Sequence, residues 1–272
     1  MTRPDAETLE LANQWSLGQL RFLTQTATAT LWRVDNPDGV LKVFTKAGRR
    51  DEAGGSVWLN WAGGSGAVDL IRHNATAQFL SFASDGDATN LPDDQAIPVI
   101  CDVMAKWPKT PPPDGLTPLE KRLAVLFAPN HQSSPRIQLA REILTRLLDT
   151  APPPVALHGD LHHGNVLCGP TGWVAIDPKG LVGDPCYDTA NLFLNPIGRP
   201  DVVAQAGRIG QLRRMIATLR NLCPHRILCF AYVHAVVSGL WSIDDNLDPS
   251  FAFRMADLMA PIAQEAQNAI FP

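Results

Sequence analysis

A dense group of polar side chains occupies residues 158–165, which read HGDLHHGN. Apolar runs flank this segment at 155–157 and from Val166 onward, so it is predicted to be a loop between two strands. Polar groups beside buried strands need partners, and a loop held at both ends positions its side chains rigidly. Asp177 ends the next apolar run, at 173–176, and adds a second carboxylate. These residue types indicate a site built from carboxylates and an amide.

Asp160, Asn165 and Asp177 have the spacing of a phosphoryl-transfer site. If residues 169–172 form a hairpin turn, Asp177 returns beside Asn165 and the loop of Asp160. Carboxylate and amide oxygens suit Mg²⁺, and a divalent cation removes the repulsion between two carboxylates. The pattern Asp-x-x-x-x-Asn, then a strand hairpin, then Asp, is typical of a kinase catalytic loop. We therefore predict Asp160 as catalytic base and Asn165 and Asp177 as metal ligands, with ATP and Mg²⁺ as cofactors.

A kinase also needs a cation for the phosphates of its nucleotide. Lys42 stands alone in the apolar run at 40–44 and is the predicted phosphate contact. Glu52, early in the following helix, is the nearest carboxylate in a suitable element and is predicted to support it. Each residue has an ordinary alternative, because a lysine in an edge strand aids solubility and an acidic residue favours a helix start.

The same residues fit other chemistries less well. Asp160 and Asn165 taken singly are common turn residues, but the joint pattern favours the kinase. The three histidines of 158–165 could bind zinc, yet their spacing is not that of a helical ligand pair. His158 is predicted instead to pin the loop by hydrogen bonds. The sequence has no GxxxxGK[ST], no strand-linked GxGxxG and no GxSxG, which argues against P-loop, Rossmann and serine-hydrolase sites.

Composition limits the partners of the chain. With 272 residues and 45% hydrophobic residues, the chain can form one large domain or two small lobes that share a cleft. A net charge of −4 argues against nucleic acid and suits a small cationic substrate. The polar start, the interruption of every long apolar stretch, and five scattered cysteines predict a cytoplasmic protein with free thiols and no membrane partner.

The elements that hold these residues divide the chain into two lobes. Short apolar and β-branched runs, with a turn at 36–39, predict strands in the first quarter. Helical periodicity dominates later, above all from Ala204 to Phe271. We predict an α+β fold with a small β-rich N-lobe, residues 1–84, and a larger, mainly helical C-lobe, residues 85–272. The predicted elements are strands at 20–22, 28–34, 40–44, 68–71 and 77–82, and helices at 51–61, 119–127 and 137–148.

Several stretches resemble one known family, the aminoglycoside phosphotransferases. HGDLHHGN at 158–165 is followed by WVAIDPKGLVGDP at 173–185 and by Tyr-Asp-x-Ala-Asn at 187–191. The branch most similar to the chain is that of streptomycin 6-kinase-like enzymes, also called aminoglycoside/hydroxyurea resistance kinases, which has Ile-Asp-Pro-x-Gly as at 176–180. Weaker similarity covers AVVSGLWSIDD at 235–245 and GSGAVDLI at 64–71. The resemblance runs over most of the chain and is highly specific between residues 155 and 191.

The resemblance implies a protein-kinase-like fold with ATP in the cleft between the lobes. It gives Asp160, Asn165, Asp177 and Lys42 the roles predicted above. The strand that ends at Ser81, Phe82 and Ala83 would be the hinge, whose backbone would meet adenine.

Two positions depart from the family pattern. Residues 24–30 occupy the place of the nucleotide loop but contain no glycine, so threonine hydroxyls and backbone N–H groups would hold phosphate in a stiffer loop. Ser81 stands where this branch is expected to have an acidic residue. Both departures concern nucleotide affinity rather than the chemistry of transfer.

The substrate follows only from the resemblance. A streptomycin-like molecule carries guanidinium groups, which pair with carboxylates, and Asp188, Asp244 and Asp245 are the candidates. Asp244 and Asp245 also fit a solvated helix end, and Asp188 also fits the cap of a helix that starts near Thr189. The implied function is ATP-dependent phosphorylation of an aminoglycoside hydroxyl. A kinase of another small alcohol or amine and a weakly active nucleotide-binding regulator are the alternatives.

Overall fold

A computed structural model describes residues 2–51, 53–83, 86–131, 134–169 and 172–270. Its N-terminal part contains a five-stranded antiparallel sheet in the order β1-β2-β3-β5-β4. The strands are β1 Leu20–Gln25, β2 Ala29–Asp35, β3 Asp38–Phe44, β4 Leu70–His73 and β5 Ala77–Leu80. Each predicted N-lobe strand is present, but β4 begins at Leu70 and not at Val68. Val68 instead donates its N–H to the carbonyl of Ala175, at 3.1 Å, in the other lobe.

The N-lobe sheet has a small core of its own. Trp32, Leu41 and Phe79 pair across β2, β3 and β5 in register, so they share one face of the sheet. Helix α1, Ala6–Gln14, covers this face with Leu11. The helix begins after Asp5, whose carboxylate accepts the N–H of Thr8 at 2.8 Å.

Helices α2, Gly48–Asp51, and α3, Ala53–Ala62, follow β3, where a single helix at 51–61 was predicted. Gly54 and Gly55, which weaken a helix by propensity, lie where α3 meets the segment 178–180. A Cβ on Gly54 would lie 2.6 Å from the carbonyl oxygen of Lys179, and one on Gly55 would lie 2.4 Å from that of Pro178. Only glycine permits this close approach, which ties the helix to the C-lobe segment that directly follows Asp177.

The C-lobe is mainly helical and forms the larger core. Helix α9, Pro224–Asp244, lies at its centre. It packs against the 3₁₀ helix Pro185–Leu194 and against three helices, α6 Pro135–Asp149, α8 Ala206–Arg220 and α10 Ser250–Ile270. By length and mean hydropathy, 1.5, α9 could cross a membrane, but 72% of its apolar stretch is buried in the protein. It is therefore a core helix. The C-lobe also contains α4 Asp93–Lys106, α5 Leu119–Arg122 and α7 Pro200–Val203.

Two small sheets lie where the lobes meet. β8, Val166–Gly169, and β9, Gly172–Ala175, form the predicted hairpin. β6, Thr117–Pro118, β10, Leu181–Gly183, and β7, Val155–Leu157, form a second sheet in that order, of which only β7 was predicted. The predicted α+β fold is confirmed. The predicted lobe boundary near residue 84 lies outside the described residues and stays a prediction.

Candidate active site

The loop between β7 and β8 carries Asp160 and is fixed by a buried carboxylate. Asp188, in the 3₁₀ helix, is 3% exposed and accepts the N–H groups of His158 and Gly159, each at 2.7 Å. Burial raises the pKa of Asp188 to about 7, although both hydrogen bonds favour the ionised form. Gly159 has φ +82, and a Cβ there would lie 2.6 Å from Cγ of Leu181, so the loop needs glycine at this position.

His158 pins the same loop from inside the protein, as predicted. Its ring is fully buried against the rings of Trp58 and Trp107, whose centroids lie 5.3 and 6.1 Å away. Nε2 lies 2.9 Å from the carbonyl of Ile176, and Nδ1 accepts the N–H of Asp160 at 3.3 Å. Because a carbonyl only accepts and an amide N–H only donates, the ring is neutral with its proton on Nε2. Burial lowers the pKa of His158 to about 3, in agreement.

We expect His158 to make the protein less stable in acid. Its pKa is about 3 in the folded protein and 6.5 as the ordinary value, so unfolding takes up a proton between these limits. The stability that the neutral ring contributes is present above about pH 6.5 and is lost as the pH falls towards about 3. Between about pH 7 and pH 5, wild type should lose about 2 kcal/mol more free energy of unfolding than His158→Gln. Urea unfolding at both pH values measures this difference.

The control for this experiment is His73→Gln, because His73 is an exposed histidine on β4. Its stability should follow the wild-type pH dependence. Equal pH dependence in wild type and His158→Gln would contradict the neutral, buried state of His158.

Asp160 lies at the C-lobe side of the site with one carboxylate oxygen engaged. Asn191 donates from Nδ2 to Oδ1 of Asp160 at 2.9 Å, and Asn165 donates to the main-chain oxygen of Asp160 at 2.8 Å. Burial raises the pKa of Asp160, while His162 and Lys179 oppose the rise. A raised pKa makes the carboxylate a stronger proton acceptor, which suits a general base.

The β8–β9 hairpin brings Asp177 to Asn165, as the sequence predicted. Val166 pairs with Ala175, and Ile176 donates its N–H to the carbonyl of Asn165 at 2.9 Å. Asp177 follows directly, in the left-handed region with φ +61. An aspartate tolerates this backbone better than most residues.

Lys42 joins the N-lobe to this hairpin. It is 5% exposed and forms an ion pair with the carboxylate of Asp177. Burial alone would raise the pKa of Asp177, but the ammonium groups of Lys42 and Lys179 hold it below its usual range. Asp177 is therefore ionised at neutral pH.

One cavity of about 400 Å³ connects the predicted nucleotide and metal residues. Its polar lining includes Lys42, Asn165 and Asp177. Its apolar lining, together with the predicted hinge residues, suits the flat base of a nucleotide. The apolar and hinge residues that line it include Leu31, Val40, Val68, Leu80, Ser81, Phe82, Ala83, Leu167 and Ile176.

Asn165 and Asp177 fit a magnesium ion. The amide nitrogen of Asn165 is committed to Asp160, so its side-chain oxygen remains for a cation. The carboxylate of Asp177 is ionised and lines the same cavity. The described residues contain no group of three His, Cys, Asp or Glu side chains that could hold a metal by themselves. Mg²⁺ needs no such group, because it is commonly held by one or two protein oxygens together with phosphates and water.

The glycine-free loop at 24–30, which was predicted to hold the nucleotide phosphates, forms a tight turn with internal hydrogen bonds. Thr26 accepts the N–H of Ala29 through its hydroxyl at 3.0 Å and donates its own N–H to the carbonyl of Ala29 at 2.8 Å. Thr24 and Thr26 both line the cavity. The hydroxyl of Thr26 therefore serves the turn itself, which explains how the loop is held without glycine.

Ser81 lines the cavity and also links the segment after β5 to the segment before β4. Its hydroxyl accepts the N–H of Asp69 at 2.8 Å, and its N–H donates to the carbonyl of Asp69 at 2.9 Å. The ring of Phe82 lies under the guanidinium of Arg33, at 4.0 Å. The adenine contacts at Ser81, Phe82 and Ala83 stay a prediction. Glu52, the predicted support for Lys42, lies outside the described residues.

The three carboxylates predicted to bind substrate lie in different places. Asp188 uses both oxygens for the Asp160 loop, and Asp244 contacts Asn130 at 3.2 Å and His131 at 3.3 Å. Asp245 is exposed at the end of α9. Their substrate contacts stay predictions.

The alternative in which Asp188 caps a helix near Thr189 was wrong. The helix starts at Pro185, and Asp184 caps it by accepting the N–H of Cys186 at 2.9 Å. Asp184 also forms a buried ion pair with Arg226. The sequence alone did not reveal this ion pair, because Arg226 lies 42 residues after Asp184.

Sequence reasoning did not assign a role to Asn191 or Lys179, both of which belong to the site. Lys179 donates its N–H to the carbonyl of His158 at 2.7 Å, and its charge acts on Asp160 and Asp177. Both residues lie inside the stretches on which the family resemblance was based. Their position in these stretches was the sequence signal that could have identified them.

Comparisons with known proteins identify the family of the chain. The sequence model of the family described as aminoglycoside/hydroxyurea antibiotic resistance kinase matches residues 14–246. The chain is 33% identical over 249 residues to the streptomycin 3″-kinase of Klebsiella pneumoniae, across 86% of this chain and 91% of that protein. It is 28% identical over 268 residues to the streptomycin 6-kinase of Streptomyces glaucescens, across 89% of this chain and 84% of that protein.

The fold also resembles a solved structure. A thermostable mutant of the aminoglycoside phosphotransferase APH(4)-Ia, in a ternary complex with ADP and hygromycin B, matches with a TM-score of 0.65 and 16% sequence identity. The match covers 93% of this chain and 97% of that chain. At this identity the likeness establishes the two-lobed fold alone.

Proposed function

The chain belongs to the aminoglycoside/hydroxyurea antibiotic resistance kinase family, and we propose that it transfers the γ-phosphate of ATP to a hydroxyl of an aminoglycoside. One observation carries the proposal: Lys42, Asn165 and Asp177 line one cavity, and Asp160 lies beside it on the loop that Asn165 holds. This is the set of groups that phosphoryl transfer requires.

Each residue has a separate task in the reaction. Lys42 holds the phosphates of the nucleotide, and the apolar lining of the cavity takes the base. Asp160 orients the attacking hydroxyl and accepts its proton. Asn165 and Asp177 would hold Mg²⁺, which supplies positive charge against the phosphate oxygens. Asp188 and His158 keep the loop of Asp160 in one conformation, so the base needs no rearrangement when the acceptor arrives.

The substrate class rests on the relatives. Two of them are named streptomycin kinases, for the 3″ and the 6 positions. Streptomycin is therefore the first acceptor to test, and its product would carry the phosphate at either the 3″ or the 6 position. The use of ATP and a small-molecule substrate supports a cytoplasmic location. Residues 1–84 would form the nucleotide-binding lobe.

The protein should transfer phosphate from [γ-³²P]ATP to streptomycin, because its site contains the complete set of catalytic groups. Thin-layer separation of the labelled product measures transfer, and NMR of the product identifies the modified position. Asp160→Asn serves as the inactive control. Transfer to other small alcohols but not to streptomycin would select the broader metabolite kinase. ATP binding without transfer to any acceptor would support the alternative of a weakly active nucleotide-binding regulator and contradict the proposed kinase activity.

A further inference from the structure

We propose that Asn191 is a positioning residue that fixes the rotamer of the catalytic carboxylate of Asp160. The inference rests on the proposed function, because it assumes that Asp160 is the base. Asn191 donates from Nδ2 to Oδ1 of Asp160 at 2.9 Å, from an element that lies 31 residues further along the chain. Asn191 therefore acts through Asp160 and has no place among the cavity-lining residues that the structure describes.

The amide of Asn191 is itself held in one orientation. Asn195, which is 3% exposed, donates from Nδ2 to Oδ1 of Asn191 at 3.0 Å and to its main-chain oxygen at 2.9 Å. Because the Oδ1 atom of Asn191 is used as an acceptor, its NH₂ group is the part that faces Asp160. A flipped amide would place two oxygens together at Asp160 and lose both contacts.

A partly buried ion pair anchors this arrangement to two helices. Arg208 of α8, 5% exposed, donates to the main-chain oxygen of Asn195 at 2.7 Å. The same guanidinium binds Asp93 of α4 through two hydrogen bonds, at 2.6 and 2.9 Å. A bidentate arginine–carboxylate pair has a fixed geometry. The contacts thus run without interruption from α4 and α8 to the carboxylate of Asp160.

The arrangement has a direct consequence for proton transfer. A free carboxylate rotates about its last bond, so either oxygen can face the attacking hydroxyl of the substrate. The Asn191 contact occupies Oδ1 and leaves Oδ2 as the oxygen that receives the proton of the attacking hydroxyl. Positioning of this kind reduces the orientations that must be lost on the way to the transition state.

The test removes the donor in two ways. Asn191→Ala deletes the side chain, and Asn191→Asp keeps its size but replaces the donor with an acceptor. Both should lower kcat by roughly 10- to 100-fold, because one hydrogen bond to a charged group is lost. KM for ATP and for streptomycin should stay within about twofold of wild type, since Asn191 acts on a step after binding. Asn195→Ala should give a smaller loss of kcat by releasing the Asn191 amide.

A double variant separates positioning from a merely structural role. In an Asp160→Ala background, adding Asn191→Ala should cause no further loss of the residual rate, because Asn191 works through the missing carboxylate. A further loss of tenfold, or a rise in KM with unchanged kcat, would overturn the inference. Asn13→Ala, on an exposed face of α1, is the control and should retain wild-type kinetics. Circular dichroism identifies any variant that fails to fold, and Asn195→Ala then carries the kcat test.

These outcomes separate the inference from the proposed function. If Asp160→Ala retains full transfer, the assignment of the base has failed, and the inference fails with it. If Asp160→Ala is inactive while both Asn191 variants keep wild-type kcat, the base assignment stands and only the role of Asn191 is refuted.

Discussion

Asp160→Asn is expected to lower kcat by roughly three orders of magnitude while ATP affinity stays unchanged. The amide has the size of the carboxylate, and the main-chain oxygen of Asp160 still accepts the hydrogen bond from Asn165. What is lost is the proton acceptor for the attacking hydroxyl. ATP should bind normally, because Asp160 lies outside the set of described residues that line the nucleotide cavity. Steady-state transfer to streptomycin and calorimetric ATP binding measure the two effects.

The control is Asp102→Asn, which makes the same change at an exposed position of α4. Its kcat should match that of wild type. Retained turnover in Asp160→Asn would remove Asp160 from the role of base. A parallel loss of ATP binding would instead point to a role in nucleotide binding.

Asp177→Asn is expected to abolish the magnesium dependence of ATP binding and with it most of the activity. The substitution removes the charge of the proposed metal ligand but keeps a side chain that tolerates the left-handed backbone at this position. We expect Mg²⁺-dependent ATP binding to weaken by about 3 kcal/mol, which is roughly 100-fold. Isothermal titration calorimetry with ATP, in Mg²⁺ and in EDTA, measures the difference.

The comparison with EDTA is the internal control, because contacts of ATP that do not involve the metal should survive in both proteins. Circular dichroism checks that the ion pair with Lys42 is not needed for folding. An unchanged gain in affinity from Mg²⁺ in Asp177→Asn would refute the metal role of Asp177.

The parts of the site that are close in sequence were predictable. Asn165 and Asp177 are joined by a hairpin, and turn chemistry at 169–172 was enough to bring them together. The pairing of Lys42 with a carboxylate was predictable, because a lysine inside an apolar strand needs an anionic partner when it is buried. Strand patterns also gave the N-lobe sheet, since each strand has a regular apolar face.

The parts that depend on distant partners were not predictable. The contacts that Asp188 makes with the backbone of the Asp160 loop, through both carboxylate oxygens, were not predicted. The paired glycines at 54 and 55 counted against a helix, and only the close contact with 178–180 explains them. Helix α4 was missed because Pro98 interrupts its helical pattern, although its acidic first turn favours a helix start. For Asp188 and the two glycines the deciding contact comes from another element, which periodicity and propensity do not record.

The apolar character of α9 has a consequence for synthesis of the protein. α9 packs against α10, which follows it in the chain. While α10 is still within the ribosome, the apolar surface that it will cover on α9 faces water. A nascent chain at this stage should be a preferred client of trigger-factor-type chaperones, which bind exposed apolar segments. Fragments that stop before α10 should collect in inclusion bodies, whereas chains that include it should remain in the supernatant.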